Sequence, residues 1–177
     1  MRVIKLALLS FIFLFIVIWL ISLLIPSHVR ISRATDINSG KDRVMTMIKE
    51  VGEWRNWYPN LDSAQPIYAN GQLTGMRLEG RDSGKAAEIR LEKVLANEVT
   101  ALFTNNQLRP VLNTWQVTEH GQGNLVTVQW SMDFDLRWYP WEKFASLVLE
   151  KSNGQRMEAG LKRLKRKLEE GYSPNTP

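Results

Sequence analysis

Cysteine is absent from the 177 residues, and histidine occurs twice, as His28 and His120, far apart in the chain. Without cysteine there are no disulfides, no lipid attached through a thiol, no thiol nucleophile and no thiolate metal site. With two distant imidazoles a histidine-rich metal centre is a poor fit. A Gly-rich phosphate loop and a nucleophile motif are missing as well. Charge of neither sign dominates: 23 Lys and Arg stand against 18 Asp and Glu, a net of +5. That balance suits contact with anionic lipid headgroups better than dedicated nucleic-acid binding. No internal repeat is visible beyond the tripeptide Trp-Tyr-Pro, found at Trp57–Pro59 and again at Trp138–Pro140.

Charge is wholly absent from Leu6 to Ile25, "LALLSFIFLFIVIWLISLLI", where the only hydroxyls are Ser10 and Ser22. Twenty helical residues rise about 30 Å, the thickness of a bilayer's hydrocarbon core. A cleavable signal peptide is the competing reading, with Arg2 and Lys5 as its basic start. Its apolar region would be shorter, about 7–15 residues, and would end in small residues. This run is longer and ends in "LLIPSHV". Residues 1–26 are therefore expected to be a retained single-pass anchor that meets the bilayer through residues 6–25. Basic residues flank it on both sides, Arg2 and Lys5 before, Arg30, Arg33, Lys41 and Arg43 after. Counting them keeps the following domain in the cytoplasm. A very short tail ahead of a long domain argues for the opposite side, and the extracytoplasmic (periplasmic) side is the expectation taken here.

About 150 residues remain, enough for one domain with a sizeable core. Residues 27–171 are read as that domain and 172–177 as a disordered tail. In "HVRISRATDI", Val29, Ile31 and Ile37 share one face of a strand. Ser39 resembles a helix N-cap, and Val44, Met47, Ile48 and Val51 follow at helical spacing. A short second helix carries Trp54 and Trp57 before Pro59 stops it. Strands are expected near Ala64–Ala69, Thr74–Arg81, Ala86–Ala96, Val99–Thr104, Asn113–Glu119 and Asn124–Arg137. The separators, such as "NGQ", "DSGK" and "HGQGN", are hairpin chemistry, so the strands should be sequential and antiparallel. The last strand alternates cleanly: Val126, Val128, Trp130, Met132, Phe134 and Leu136 face one way, and Thr127, Gln129, Ser131, Asp133 and Asp135 the other. Two helical segments close the chain. One carries a stripe of Trp141, Phe144, Ala145 and Val148. The other opens at a capping box of Ser152 and Gln155 and buries Met157, Leu161, Leu164 and Leu168.

The polar candidates for chemistry fall on the wrong side of these elements. Glu88, Arg90 and Glu92 share the wet face of their strand, opposite Ile89 and Leu91. Asp133 and Asp135 lie on the outer face of the last strand, opposite Trp130 and Met132. His120 sits in an exposed turn, and His28 at the membrane boundary. The run "LKRLKRK" reads as a solvated helix face or a headgroup contact. Nothing aromatic interleaves with its charges, which counts against nucleic acid. Catalytic residues, a metal site and a cofactor are not expected. The concave face is almost wholly apolar: Met76, Leu78, Ile89, Leu91, Trp115, Val117, Val128, Trp130, Met132 and Phe134. That lining is either a filled core or a cavity for an apolar ligand, and the spacing does not choose between them.

The element order, together with "LIPSHVRISRATDI", "VGEWRNWYPNLD", "VTVQWSMDFDL" and "MEAGLKRLKRKLEE", resembles the SRPBCC superfamily. This is the helix-grip fold of START lipid-transfer domains, the birch-pollen allergen and polyketide cyclase-like proteins, here like bacterial members with one N-terminal span. The match departs after the first strand, where Ala-Pro-Pro is common and this chain has "NSGKDR". The resemblance implies an α+β helix-grip fold, with a curved antiparallel sheet of about seven strands wrapped on a long C-terminal helix. It implies binding of a lipid or other apolar small molecule in the groove between them. A cyclase- or hydrolase-like enzyme and a ligandless envelope adaptor are the alternatives. It also implies that first and last strands pair, which would put Trp138, Tyr139 and Trp141 at the membrane interface. Trp54 and Trp57 would then pack the helix pair on the sheet, about 30 Å away at the far end of the first strand.

Overall fold

Residues 2–78, 86–105, 109–121 and 124–170 are described in the computed structural model of the chain. Their order is α1 (Arg2–Leu23), β1 (His28–Asn38), α2 (Lys41–Lys49), a 3-10 turn (Val51–Glu53) and α3 (Trp54–Trp57). Six strands follow: β2 (Gln65–Ala69), β3 (Gln72–Leu78), β4 (Ala87–Val94), β5 (Glu98–Asn105), β6 (Val111–Glu119) and β7 (Leu125–Asp135). The last element is α4 (Pro140–Glu170). The expected tail at 172–177, the turn Asp82–Lys85 and the end of the predicted strand at 79–81 lie outside the described residues.

The alternation along β7 is what organises the sheet. Val126, Val128, Trp130, Met132 and Phe134 are all buried, while Gln129 and Asp135 are exposed. A strand with one apolar face needs a partner on each edge and a layer over that face. β1 and β6 flank it, and the full order is β1-β7-β6-β5-β4-β3-β2, antiparallel throughout. Hairpin chemistry sets the register where it is strongest: Asn70 and Gly71, both at positive φ (51° and 78°), join β2 to β3. Irregularities at Ile67/Tyr68 and at Leu91/Lys93 add twist where the sheet curls. α4 covers the concave face through Met157, Leu161, Leu164 and Leu168, all buried. This is the α+β helix-grip architecture. α1 stands outside the domain with nearly every side chain exposed, and is long and apolar enough to cross a membrane.

Three local expectations are corrected. α4 is one continuous helix of 31 residues, not two. Ser152 and Gln155 cap nothing; the Ser152 hydroxyl bonds back to the Leu149 carbonyl, and Gly154 is buried inside the helix. The reason is tertiary: Arg33, on the core side of β1, reaches Glu158 at 2.7 Å and Glu150 at 3.6 Å across Gly154. A Cβ at that glycine would lie 2.5 Å from Arg33 Nη2. The expected stripe of Trp141, Ala145 and Val148 is exposed, and Phe144 is half-buried. The first turns of α4 instead bury Pro140, Lys143 and Ser146, because that face meets the end of α1. Finally, the residue capping α2 is Gly40, and the Ser39 hydroxyl is buried without a partner.

α2 and α3 are stitched together by indoles. Trp54 Nε1 donates to the Ile48 carbonyl at 2.7 Å and Trp57 Nε1 to the Met47 carbonyl at 3.0 Å. Carbonyls in the last turn of a helix have no partner within it, so the tryptophans serve as both packing and caps.

Candidate ligand cavity

Five aromatic side chains meet on the concave face. Trp54, Trp57, Tyr58, Trp115 and Trp130 touch in a closed set, with ring centroids from 5.1 Å (Tyr58–Trp130) to 6.5 Å (Trp54–Tyr58). Edge-to-face contacts dominate around Trp57, at 86° to Trp115 and 81° to Trp130, as ring quadrupoles favour. Trp130 Nε1 donates to Asn113 Oδ1 at 3.1 Å, which satisfies a polar pair in the core. Trp115 Nε1 is buried without a partner. This cluster fills the middle of the groove.

Beyond it the groove is open. A cavity of about 390 Å³ has Trp130 as its floor, at the lower end of the range for small-molecule sites. Tyr58, Pro59 and Asn60 form one wall; Leu149, Asn153 and Arg156 of α4 form the cover. The rest comes from Leu78, Ala87, Phe103, Asn105, Val111, Met132 and Phe134. Register explains why these seven converge. His28 pairs with Asp135, Leu112 with Asp133, Phe103 with Val111, Ala87 with Asn105 and Leu78 with Ala87. All seven therefore lie at the edge of the sheet where β1 begins, next to the end of α1.

The chain reaches this wall through Asn60, whose φ of 66° is left-handed, a conformation asparagine tolerates better than most residues. α4 comes close enough to cover the cavity because residue 160 is glycine. A Cβ there would lie 2.8 Å from Trp130 Cζ3 and 3.0 Å from Pro59 Cδ.

Two titratable side chains are found among the described residues of the lining, Tyr58 and Arg156. Burial pushes the Tyr58 phenol well above its ordinary pKa, and the nearby Arg156 charge offsets a little of that shift. The phenol is thus a neutral hydrogen-bonding group. Arg156 is exposed at the rim and makes no ion pair among the described residues. Asn60, Asn105 and Asn153 are the remaining polar groups. The described lining holds no carboxylate and no imidazole, so it offers an apolar chamber with one cation rather than an acid–base pair.

Of the ten residues expected on the concave lining, Leu78, Trp130, Met132 and Phe134 face the cavity. Met76, Ile89, Trp115, Val117 and Val128 sit in solid core, and Leu91 is half-buried beside the β4 irregularity. Alternation identifies the inner face but not how far along it the aromatic cluster fills. Ala87, Phe103 and Val111 were not among the residues expected there, and Val111 lies ahead of the strand expected to begin at Asn113. The Tyr58–Asn60 wall and the α4 cover had no sequence signal. The first Trp-Tyr-Pro is also nearer than expected. Tyr58 packs against Trp130, which pairs with Arg33 half-way along β1, because α2 and α3 fold back over the sheet.

The outer sheet face is occupied by ion pairs. Arg30 grips Asp133 with two nitrogens at 2.6 and 3.0 Å. His28 contacts Asp135 at 3.0 Å and Asp133 at 3.2 Å. Its pKa is raised, chiefly by the hydrogen bond to Asp135. Glu88 bonds Arg90 and Arg77, and these hold its carboxyl below the ordinary range. His120 bonds the Thr127 hydroxyl at 2.6 Å, which in turn donates to Asp36. Among the described residues no group of three or more His, Asp or Glu is placed to hold a metal.

The second Trp-Tyr-Pro lies beside the end of α1. Tyr139 stacks on Trp141 at 4.7 Å and meets Trp138 at a tilt, centroids 4.9 Å apart. Leu136 N donates to Ser27 O at 2.7 Å, and Lys143 Nζ to Ile25 O at 2.9 Å.

A family model described as "Polyketide cyclase / dehydrase and lipid transport" matches residues 28–169. Among solved structures, an uncharacterized protein from Bacillus thuringiensis is 19% identical with a TM-score of 0.59, covering 79% of this chain and 98% of that one. A START superfamily protein from Mycobacterium smegmatis is 13% identical, TM-score 0.59, over 80% and 97%. The di-domain ARO/CYC StfQ from the steffimycin biosynthetic pathway is 12% identical, TM-score 0.61, over 81% of this chain and 51% of that one. At these identities the likeness is one of fold. No curated protein matches the chain.

Proposed function

The chain belongs to the polyketide cyclase / dehydrase and lipid-transport family, and from that premise we propose that its cavity binds one lipid or similar apolar molecule without transforming it. The observation that carries this reading is the cavity itself. It offers about 390 Å³ of mostly apolar wall, one unpaired cation at its rim, and no general acid–base pair among the described lining residues. An apolar ligand gains from burial there. A polar or anionic end would meet Arg156 and the three asparagines. We further propose that α1 is retained as a membrane anchor, with the domain on the extracytoplasmic side and the Trp138–Tyr139–Trp141 stack in the headgroup layer.

The test is native mass spectrometry and lipid extraction of the full-length chain purified from membranes, beside Ala87→Phe. Ala87 is half-buried at the cavity wall, so a phenyl group fills the space while removing nothing. A bound apolar molecule is expected in the parent and lost in the variant, with the circular dichroism unchanged. A parent that is empty and shows no thermal shift across a lipid panel would sink the reading.

A further inference from the structure

The large apolar side chains exposed outside α1 are not scattered evenly. Trp138 (65% exposed), Trp141 (66%), Leu147 (68%) and Val148 (62%) fall within eleven residues. Trp141, Ala145 and Val148, at i, i+4 and i+7, form one outward face of the first turns of α4, and Leu147 adjoins it. A soluble surface rarely concentrates apolar groups in this way without a partner.

The orientation of that face is set by α1. The last turn of α1 tightens, with Leu24 N on Ile21 O and Ile25 N on Ser22 O, and the buried Lys143 puts its ammonium on Ile25 O, two residues past the helix. A cation at a helix C-terminus is favourable, and this one makes no ion pair among the described residues. Ser22 and Ser146 are buried at the same junction. The end of α1 is thus held against α4 through the Lys143 ammonium on Ile25 O, a contact partly shielded from water, rather than by a free tether.

The inward side of this stretch faces the cavity. Leu149, next after Val148, and Asn153, one turn further on, cover the cavity, whose walls lie at the α1 end of the sheet. Charge agrees with a membrane partner. Glu142 is matched by Arg137, and Arg33 is shared between Glu158 and Glu150. Lys151, exposed and without an ion pair among the described residues, is left for an anionic headgroup.

We infer that the first turns of α4 lie in the headgroup layer of the leaflet at which α1 ends, so that the cavity exchanges its ligand directly with that leaflet. The bilayer is the favoured occupant because the face is continuous with the end of α1, and because Trp and Tyr rings prefer this layer. The inference rests on α1 being retained and on the cavity holding a lipid.

The cysteine-free sequence permits a direct test on the full-length chain. Single cysteines at Val148 and at the exposed Glu92 of β4 are labelled with a nitrobenzoxadiazole dye. The proteins are placed in vesicles of phosphatidylcholine and phosphatidylglycerol at 3:1. The dye at 148 should be quenched several-fold more by nitroxide lipids than the dye at 92, and shielded from aqueous iodide. Equal quenching at the two positions would overturn the docking. So would shielding at 148 that vanishes in nanodiscs holding one chain each, since the occupant would then be a second copy. Intact mass on the same samples must show residues 1–26 present; a trimmed chain overturns the inference. Leu147→Glu with Val148→Glu, neither of them lining the cavity, should retain the bound molecule yet slow uptake of a pyrene-labelled fatty acid from vesicles at least tenfold. Unchanged uptake would refute direct exchange. An empty parent chain with normal quenching would refute the binding function and leave the docking intact.

Discussion

Two glycines of α4 show how the same substitution can have unequal weight within one helix. An added Cβ at Gly160 meets the rings of Trp130 and Pro59, neither of which can swing away. Overpacking of that kind costs about 1–3 kcal/mol, against about 1 kcal/mol gained from helix propensity. Gly160→Ala should therefore lower the urea midpoint. At Gly154 the Cβ meets the tip of the flexible Arg33 side chain. Moving it forfeits a partly exposed ion pair worth at most about 1 kcal/mol, which the propensity gain offsets. Gly154→Ala should leave the midpoint nearly unchanged, and an equal fall in both variants would contradict this account. Charges at single residues also predict a pH response. His28 has a raised folded pKa, so its contribution is fully present below the ordinary histidine value and fades as pH rises through the raised one. Glu88 has a lowered folded pKa. Its contribution is present above the ordinary glutamate value and is lost as pH falls through the lowered one. In an NMR titration, Asp135→Asn should bring the His28 midpoint down; an unmoved midpoint would mean that Asp135 is not the cause.

At the scale of elements, the short helices have little intrinsic stability. Nine residues in α2 and four in α3 are too few to persist alone. What holds them is the pair of indole N–H bonds to Ile48 and Met47 and the burial of Trp54 and Trp57 against Trp115 and Trp130. Trp57→Ala should cost about 3–5 kcal/mol. Trp57→Phe keeps most of the ring but leaves the Met47 carbonyl without its donor, and should cost about 1–3 kcal/mol. Hydrogen exchange should accelerate first at the α2 amides in Trp57→Phe. Exchange that rises uniformly over the sheet would show that the cluster supports the whole core rather than this pair. The same cluster limits the cavity, since its five rings occupy the groove that the bare sheet and α4 would leave open.

For the molecule as a whole, the decisive contact is the joint between α1 and the domain. Lys143→Met preserves length and apolar packing but removes the ammonium from Ile25 O. The domain should melt as before, because the cation makes no ion pair among the described residues. The angle between α1 and α4 should loosen. Spin labels at cysteines replacing Ser10 and Lys162 would report this as a broader distance distribution in vesicles, and an unchanged width would deny Lys143 that role. A fixed joint matters for function only if the cavity must meet the bilayer in one orientation, which is why this measurement complements the quenching test on α4.

Period and composition were sufficient for the architecture. The alternation of Val126 to Phe134, the turn residues Asn70-Gly71 and the stripe Met157–Leu161–Leu164–Leu168 each specify an element by local rules. Together they leave few ways to arrange sheet and helix. The uncharged run from Leu6 to Ile25 likewise identified α1 before any packing was known. Where the cavity lies was not legible, because alternation says which face is inward and not how much of it neighbours fill. That depended on Trp54, Trp57 and Tyr58, brought back over the sheet by α2 and α3, and on Gly160, which lets α4 close over Pro59. The orientation of the first turns of α4 was equally hidden. Trp141, Ala145 and Val148 have the spacing of a buried stripe, and only the docking of α1 against Lys143 and Ser146 turned them outward. Local sequence set the elements; volume and contact across the fold determined which apolar surfaces became core, cavity or exposed face.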